Sequence, residues 1–257
     1  MQRICQSAVY LLCFHAQYLF RVVLQNRKKW VELLLPDSKK KGRIMKKGLT
    51  ELVFIVDRSG SMAGLESDTI GGINATLEKN RALEGEANVS IVLFDNVSEV
   101  LVDRKPLTEV GNLTEDDYWV RGCTALLDAV GGAIKHTSRV QDYMPDEYKA
   151  EHVIFVITTD GYENASTEYS YKKVKKLIEK HTKEGWEFIF LGANIDAVSE
   201  AARIGIGSKR AVTYLADAEG SDIMHKAVSV ACCSIRDFGE LDANWKAEVE
   251  ADTAARG

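Results

Sequence analysis

Short apolar runs alternate with segments of helical periodicity along most of this 257-residue chain. The runs at 52–56, 89–94, 152–157 and 188–191 are rich in β-branched and aromatic residues, as strands buried on both faces of a parallel sheet are. Between the runs, apolar residues recur three or four positions apart, as along one face of a helix. Strands that alternate with helices predict a doubly wound, Rossmann-like α/β fold with helices on both faces of the sheet.

One strand is expected to run against the others. Asp95 and Asn96 form a turn signal, and the run at 97–102 that follows them predicts the second arm of a hairpin. We therefore expect a mostly parallel sheet with one antiparallel edge strand. A short strand at 211–215 and a last helix at 221–238 are expected to complete the domain.

Charge divides the chain into unequal parts. Residues 1–48 carry eleven Lys or Arg and two Asp or Glu, whereas the remainder carries 22 and 36. We predict a basic N-terminal extension over 1–48, one domain over 49–240 and a C-terminal tail over 241–257. Because an acidic body repels phosphate backbones, the domain is not expected to bind nucleic acid.

The N-terminal extension admits two interpretations. Its apolar stretch, residues 8–24, includes Arg21 and other polar side chains, and it falls short of the about 20 apolar residues that a spanning helix needs. Either residues 1–44 come from a misplaced start and the natural protein begins at Met45, or the extension forms an amphipathic arm or a weak membrane anchor. A membrane is not an expected partner of the domain itself.

The five cysteines favour a reducing compartment. None of them forms a C-x-x-C pair, and the adjacent Cys232 and Cys233 are poorly placed for a mutual disulfide. Since disulfides are rare in the cytosol, a cytoplasmic location is the simplest prediction.

Polar loops follow three of the predicted buried segments. Asp57, Ser59 and Ser61 come directly after the first strand. Thr124 precedes a predicted helix, and Asp160 follows the third apolar run. Because the carboxyl ends of parallel strands meet at one edge of a sheet, we expect these five side chains to lie together. Two carboxylates and three hydroxyls form a set of hard oxygen ligands that favours Mg²⁺, with Mn²⁺ or Ca²⁺ as alternatives, over zinc.

The same set of ligands predicts how the site would be used. Hydroxyls bring no charge, so a bound cation would keep excess positive charge and an open position would attract a carboxylate from another molecule. Two of the residues also have simpler interpretations, since Thr124 could merely cap the helix that follows it and Asp160 could start a turn. The combination of the three motifs favours the metal site.

The motif Asp57-x-Ser59-x-Ser61, the distant Thr124 and an Asp160 followed by glycine resemble the metal-ion-dependent adhesion site of von Willebrand factor A domains. The resemblance covers nearly all of the predicted domain and includes all five motif positions. It implies the von Willebrand factor A fold, with Ser59, Ser61 and Thr124 as direct ligands of a divalent cation. It also implies that Asp57 and Asp160 coordinate the cation directly or through water. By the same implication, an Asp or Glu of a partner protein then completes the octahedral coordination of the cation.

Three sequence blocks, 54–62, 160–164 and 191–196, are similar to those of small, single-domain bacterial members of this family. The resemblance to these members implies a metal-dependent protein-binding module without naming its ligand. The oligomeric state stays open.

Two other functions are compatible with parts of the pattern. One is an adaptor subunit of an ATPase- or chelatase-type complex. The other, a magnesium-dependent phosphatase-like enzyme, is less favoured, because a haloacid-dehalogenase-type phosphatase needs a second carboxylate where this chain has Ser59. The sequence also has no phosphate-binding loop, no Gly-x-Ser-x-Gly motif and no histidine within the site motifs. We therefore predict that the protein is not an enzyme.

Five further residues are expected on the same rim. Glu163, Asn194 and Asp196 are interpreted as turn and capping residues. Trp119 and Tyr162 are equally compatible with contact to a partner and with local packing.

Overall fold

The computed structural model of the protein describes residues 46–257, in which strands and helices alternate. The strands are β1 (Lys46–Asp57), β2 (Ala87–Phe94), β3 (Ser98–Pro106), β4 (Ala150–Thr159), β5 (Glu187–Ala193) and β6 (Ala211–Tyr214). The α-helices are α1 (Glu66–Arg81), α2 (Leu126–Tyr143), α3 (Tyr171–Lys183), α4 (Ala197–Arg203), α5 (Ala218–Phe238) and α6 (Ala247–Arg256).

The sheet has the order β3-β2-β1-β4-β5-β6, and all neighbouring pairs are parallel except β2 and β3. The predicted fold class is therefore confirmed, including the antiparallel edge strand. The order changes direction at β1, because the chain continues to β2 on one side and later to β4 on the other. The carboxyl ends of β1 and β4 therefore lie at the point where the strand order reverses, which is where ligands bind in folds of this kind.

Two hydrophobic cores attach the helices to the two faces of the sheet. In β1, Leu52, Phe54 and Val56 belong to one core, and Val53 and Ile55 belong to the other. This division follows from the alternation of side chains along a strand. Helices α1, α5 and α6 contribute to the first core, and α2, α3 and α4 contribute to the second. Strand β1 is buried on both faces, which confirms the sequence prediction for this strand.

The domain extends past the boundary predicted at residue 240. The segment predicted as a tail, 241–257, contains α6, which contacts β6 and α5. Trp245 and Val249 are buried in the first core, and the Trp245 indole donates a hydrogen bond to the carbonyl of Lys209 (3.0 Å). Two apolar residues four positions apart are too short a pattern to distinguish this helix from a tail.

The predictions for residues 1–45 lie outside the described residues. Strand β1 begins at Lys46, so the last three residues of the predicted extension belong to the domain. Cys123, Cys232 and Cys233 carry free thiols. Within residues 46–257, no helix combines the length and the apolar character that crossing a membrane requires.

Candidate metal centre

Asp57 is the last residue of β1, and its side chain is buried. Its Oδ1 accepts a hydrogen bond from the backbone N–H of Ser59 (2.7 Å), and its Oδ2 accepts one from the hydroxyl of Thr159 (2.6 Å). Burial raises the pKa of Asp57 to about 6, although these hydrogen bonds act in the opposite direction. Since both of its oxygens already accept bonds from the protein, Asp57 fixes the course of the loop that carries the two serines.

Three hydroxyl groups converge beside this loop. The Oγ atoms of Ser59 and Ser61 are 2.9 Å apart, and Thr124 donates a hydrogen bond to Ser59 Oγ (3.1 Å). Gly161 borders the same cluster: a Cβ added there would lie 3.1 Å from Thr124 Oγ1 and 3.2 Å from Ser61 Oγ. A larger residue would therefore push the hydroxyls away from the end of β4.

Asp160 follows β4 and completes the cluster. Its Oδ1 accepts a hydrogen bond from the Ser61 hydroxyl, whereas its buried Oδ2 has no hydrogen-bond partner among residues 46–257. Burial raises the pKa of this carboxyl group. A buried carboxylate oxygen without a partner costs free energy unless a cation compensates it. The structure thus brings all five predicted ligands together around one unpaired oxygen.

The donor set fits a hard divalent cation. It consists of carboxylates and hydroxyls, without sulfur or imidazole, which is the ligand chemistry that Mg²⁺, Mn²⁺ and Ca²⁺ prefer. The hydroxyls of Ser59, Ser61 and Thr124 bond to one another and to Asp160, but a hydroxyl can rotate and present its lone pairs to a cation instead. The unpaired Oδ2 of Asp160 supplies a negative charge at the same place.

Thr124 does not cap α2. The N-cap position belongs to Ala125, and the hydroxyl of Thr124 donates to Ser59 instead of accepting from the helix. The N–H of Leu127 in the first turn is satisfied by Glu163 Oε2 (2.9 Å). The capping interpretation of Thr124 is therefore wrong, because another side chain takes that role and leaves its hydroxyl to the site.

Glu163 ties the loop after β4 to the start of α2. Besides the N–H of Leu127, its carboxylate accepts hydrogen bonds from the N–H of Ala165 (3.0 Å), the N–H of Ser166 (2.7 Å) and the hydroxyl of Ser166 (2.8 Å). A negative charge at this position is also favoured by the helix dipole. The interpretation of Glu163 as a capping residue is confirmed, and its contacts join two loops that carry predicted ligands.

Further hydrogen bonds join the same two segments. Asp128, in the first turn of α2, accepts from the backbone N–H groups of residues 167–169 at 2.8, 2.9 and 2.7 Å. Asn164 Oδ1 accepts from the N–H of Thr124 (2.9 Å), whose carbonyl accepts from the N–H of Asn164 (3.0 Å). The loop that follows Asp160 and the helix that follows Thr124 are thereby held together.

A second buried carboxylate on this edge is fully paired. Asp95 follows β2, and its Oδ2 accepts from Arg58 Nε (2.8 Å) and Arg121 Nε (2.7 Å). Burial alone would raise the pKa of Asp95, but the hydrogen bonds from Arg121, the Val97 N–H and Arg58 lower it below its ordinary value. Arg58 also pairs with Glu99 (2.7 Å). These ion pairs hold the first ligand loop beside the segment that leads to α2.

Sequence reasoning did not identify Thr159, Asp128 or Asp95 as parts of this arrangement. The position of Thr159 directly before Asp160 is the one signal that could have pointed to it. The interpretation of the remaining rim residues is confirmed: Asp196 accepts from the N–H of Ser199 (2.9 Å) at the start of α4, and Asn194 adopts a turn conformation with a φ of 55°.

Comparison with known proteins finds solved structures that are similar to this chain. No family model matches the sequence, and no curated protein matches it. The minor pilin PilB from Streptococcus sanguinis is 13% identical, with a TM-score of 0.51, over 77% of this chain and 63% of that chain. Proximal thread matrix protein 1 from the mussel byssus, solved with a zinc-occupied MIDAS motif, is 18% identical, with a TM-score of 0.47, over 74% of this chain and 47% of that chain.

At 13% identity, the similarity to the pilin concerns the fold alone. The chain spans 63% of the pilin and 47% of the byssus protein, which is less than two thirds of either structure. The order of the strands, the antiparallel edge strand β3 and the helices on both faces agree with the fold that the sequence motifs predict. The chain therefore folds as a von Willebrand factor A-like domain.

Proposed function

We propose that this protein is a metal-dependent protein-binding module. A divalent cation, Mg²⁺ in the first place, is held by Ser59, Ser61 and Thr124, with Asp57 and Asp160 bound directly or through water. An Asp or Glu of a partner protein completes the coordination. The observation that carries the proposal is the buried Oδ2 of Asp160, which has no partner among residues 46–257 and lies beside three converging hydroxyls.

The arrangement of the two aspartates supports different roles for them. Both oxygens of Asp57 accept hydrogen bonds from the protein, so this residue holds the loop that carries Ser59 and Ser61 in position. Asp160 has an oxygen to offer and supplies charge to the cation. Because the three hydroxyls are neutral, the bound cation supplies Lewis acidity that attracts an external carboxylate.

Binding rather than catalysis is part of the proposal. In the proposed site the hydroxyls of Ser59, Ser61 and Thr124 and the carboxylate of Asp160 serve as ligands of the cation, so none of them acts as a nucleophile or a general base. Two of the histidines bond to carboxylates outside the cluster, His136 to Asp103 and His181 to Glu184. The exposed free thiol of Cys123, next to Thr124, supports the proposal of a reducing, cytoplasmic environment.

Titration of the full chain with Mn²⁺, followed by calorimetry, tests the proposal. We expect binding by the wild-type protein and at least about a hundredfold loss of affinity in Asp160→Asn, which keeps the size of the side chain and removes its charge. Asp103→Asn is the matched control, since Asp103 is an exposed carboxylate paired with His136, and its affinity should not change. Wild-type protein that binds no Mn²⁺, or an Asp160→Asn variant of unchanged affinity, would contradict the site.

A further inference from the structure

Two aromatic side chains at the carboxyl edge of the sheet are both exposed and held in place. Trp119 is 44% exposed, and its ring lies against the guanidinium groups of Arg58 (5.6 Å) and Arg121 (5.9 Å). Tyr162 is 53% exposed, and its hydroxyl accepts a hydrogen bond from the N–H of Asp196 (3.3 Å). An aromatic side chain that is already ordered loses little conformational entropy when a partner binds. Aromatic residues also contribute much of the binding free energy in protein interfaces. We call Trp119 and Tyr162 the rim pair.

The sheet order places the rim pair on opposite sides of the candidate metal centre. Both arginines that contact Trp119 also bind Asp95, so Trp119 lies by the end of β2. Tyr162 reaches Asp196, which follows β5. The ends of β1 and β4, which carry the predicted ligands, lie between β2 and β5 in the order of the sheet. Three spacings of about 4.8 Å separate β2 from β5, which makes roughly 14 Å.

We infer that the rim pair forms two apolar contacts that flank the bound carboxylate of the partner. The inference rests on the proposed function and specifies the partner: a protein segment that carries an Asp or Glu with an apolar residue on each side of it. An extended chain rises about 3.3 Å per residue, so a span of roughly 14 Å corresponds to about four residues. The apolar residues should therefore lie about two positions before and two positions after the acidic residue.

Charge and apolar area have separate roles in this surface. The cation would select the carboxylate, whereas Trp119 and Tyr162 would select its neighbours by burying their side chains. Arg58 and Arg121 are already paired with Asp95, and Arg58 also pairs with Glu99. Because these two carboxylates balance the charge of the two guanidinium groups, the arginines add little attraction for a second acidic residue at the Trp119 end. The surface should thus prefer one central acid over a run of acids.

Selection from a library of displayed random peptides tests this surface. The immobilised full chain is incubated with the library in Mn²⁺, and bound peptides are released with EDTA and sequenced. For the wild-type protein we expect an Asp or Glu flanked by apolar residues. The double variant Trp119→Ala/Tyr162→Ala should still select the acid but lose the preference for apolar neighbours. Tyr143→Ala is the matched control, because Tyr143 is an exposed aromatic at the far end of α2, and it should select the wild-type pattern.

The affinities of one selected peptide give a second measurement. It should bind each single variant, Trp119→Ala or Tyr162→Ala, about tenfold more weakly, with the Mn²⁺ affinity of the protein unchanged. Peptides that share an acid without apolar neighbours would overturn the rim pair and leave the proposed function intact. If Mn²⁺ binds but EDTA releases no enriched peptide, carboxylate bridging itself would be contradicted.

Discussion

Two buried carboxylates at the same edge of the sheet have opposite surroundings. Asp95, after β2, accepts from two guanidinium groups and a backbone N–H, and its pKa lies below the ordinary value despite burial. Asp160, after β4, accepts from the Ser61 hydroxyl, keeps one oxygen unpaired, and has a raised pKa because it is buried. Among residues 46–257, two arginines compensate the charge of Asp95, whereas no cation pairs with Asp160. This difference favours Asp160 as the carboxylate that meets a metal ion.

Removal of Asp95 should cause the largest loss of stability. In Asp95→Ala, the fully buried Arg58 loses its buried carboxylate partner, and breaking a pair of this kind costs roughly 3–5 kcal/mol. Urea denaturation in EDTA at pH 7 measures the free energy of unfolding. The control is Glu99→Ala, since Glu99 pairs with the same arginine but is half exposed and should contribute less than about 1 kcal/mol. Equal losses of unfolding free energy in the two variants would show that the buried Asp95 stabilises the fold no more than the half-exposed Glu99 does.

The Asp95 effect should also depend on pH. A carboxyl group whose pKa is lower in the folded protein than in the unfolded chain stabilises the fold above the unfolded pKa, here near 3.8. That contribution is lost as the pH falls through the folded pKa. The difference in unfolding free energy between wild type and Asp95→Ala should therefore be constant near neutral pH and shrink below pH 3.8. A difference that stays constant into this acid range would show that the charge of Asp95 is not responsible.

The sequence predicts the positions of the ligands better than the contacts that hold them. Asp57 and Asp160 were predictable because each directly follows a buried apolar run, and parallel strands end at a common edge. The bond from Thr159 to Asp57 was not, because it depends on the register of β1 and β4, in which Val56 lies opposite Thr158. Register is a relation between distant segments, and no local pattern encodes it.

The same limit applies to charges and to the end of the domain. Asp95 and Asp160 look alike in the sequence, since each is an Asp at the end of an apolar run. They differ in structure only because the fold brings Arg58 and Arg121 to one of them. Helix α6 was missed for a related reason, as its buried Val249 and the preceding Trp245 acquire a role only when β6 and α5 are beside them.

Glu163 offers a smaller test, directed at how Asp160 and Thr124 are held together. Glu163→Ala removes four hydrogen bonds, one that joins the loop after β4 to the start of α2 and three within that loop. Loss of such an outer contact typically lowers metal affinity about 10–100-fold. We expect Mn²⁺ to raise the melting temperature of this variant less than that of the wild type, because the stabilisation by a ligand depends on its affinity.

The matched control for Glu163 is Asp196→Ala. Asp196 is also a rim carboxylate that bonds to the backbone of a helix start, but α4 carries none of the predicted ligands. Loss of this cap should lower stability by about 1 kcal/mol and leave the Mn²⁺-induced rise in melting temperature unchanged. If both variants lowered stability equally and neither changed the response to Mn²⁺, Glu163 would be a structural residue alone.

The smallest expected effect concerns Asp160 in the absence of metal. Asp160→Asn removes the charge of a buried carboxylate that has one unpaired oxygen, while its remaining oxygen can still accept from Ser61. In EDTA at pH 7 we expect this variant to be more stable than the wild type by about 1 kcal/mol, because an uncompensated buried charge is unfavourable. Saturating Mn²⁺ should reverse the order, since only the wild type gains from the cation. Lower stability of Asp160→Asn in EDTA would mean that the fold itself needs the charge of Asp160, as it needs that of Asp95.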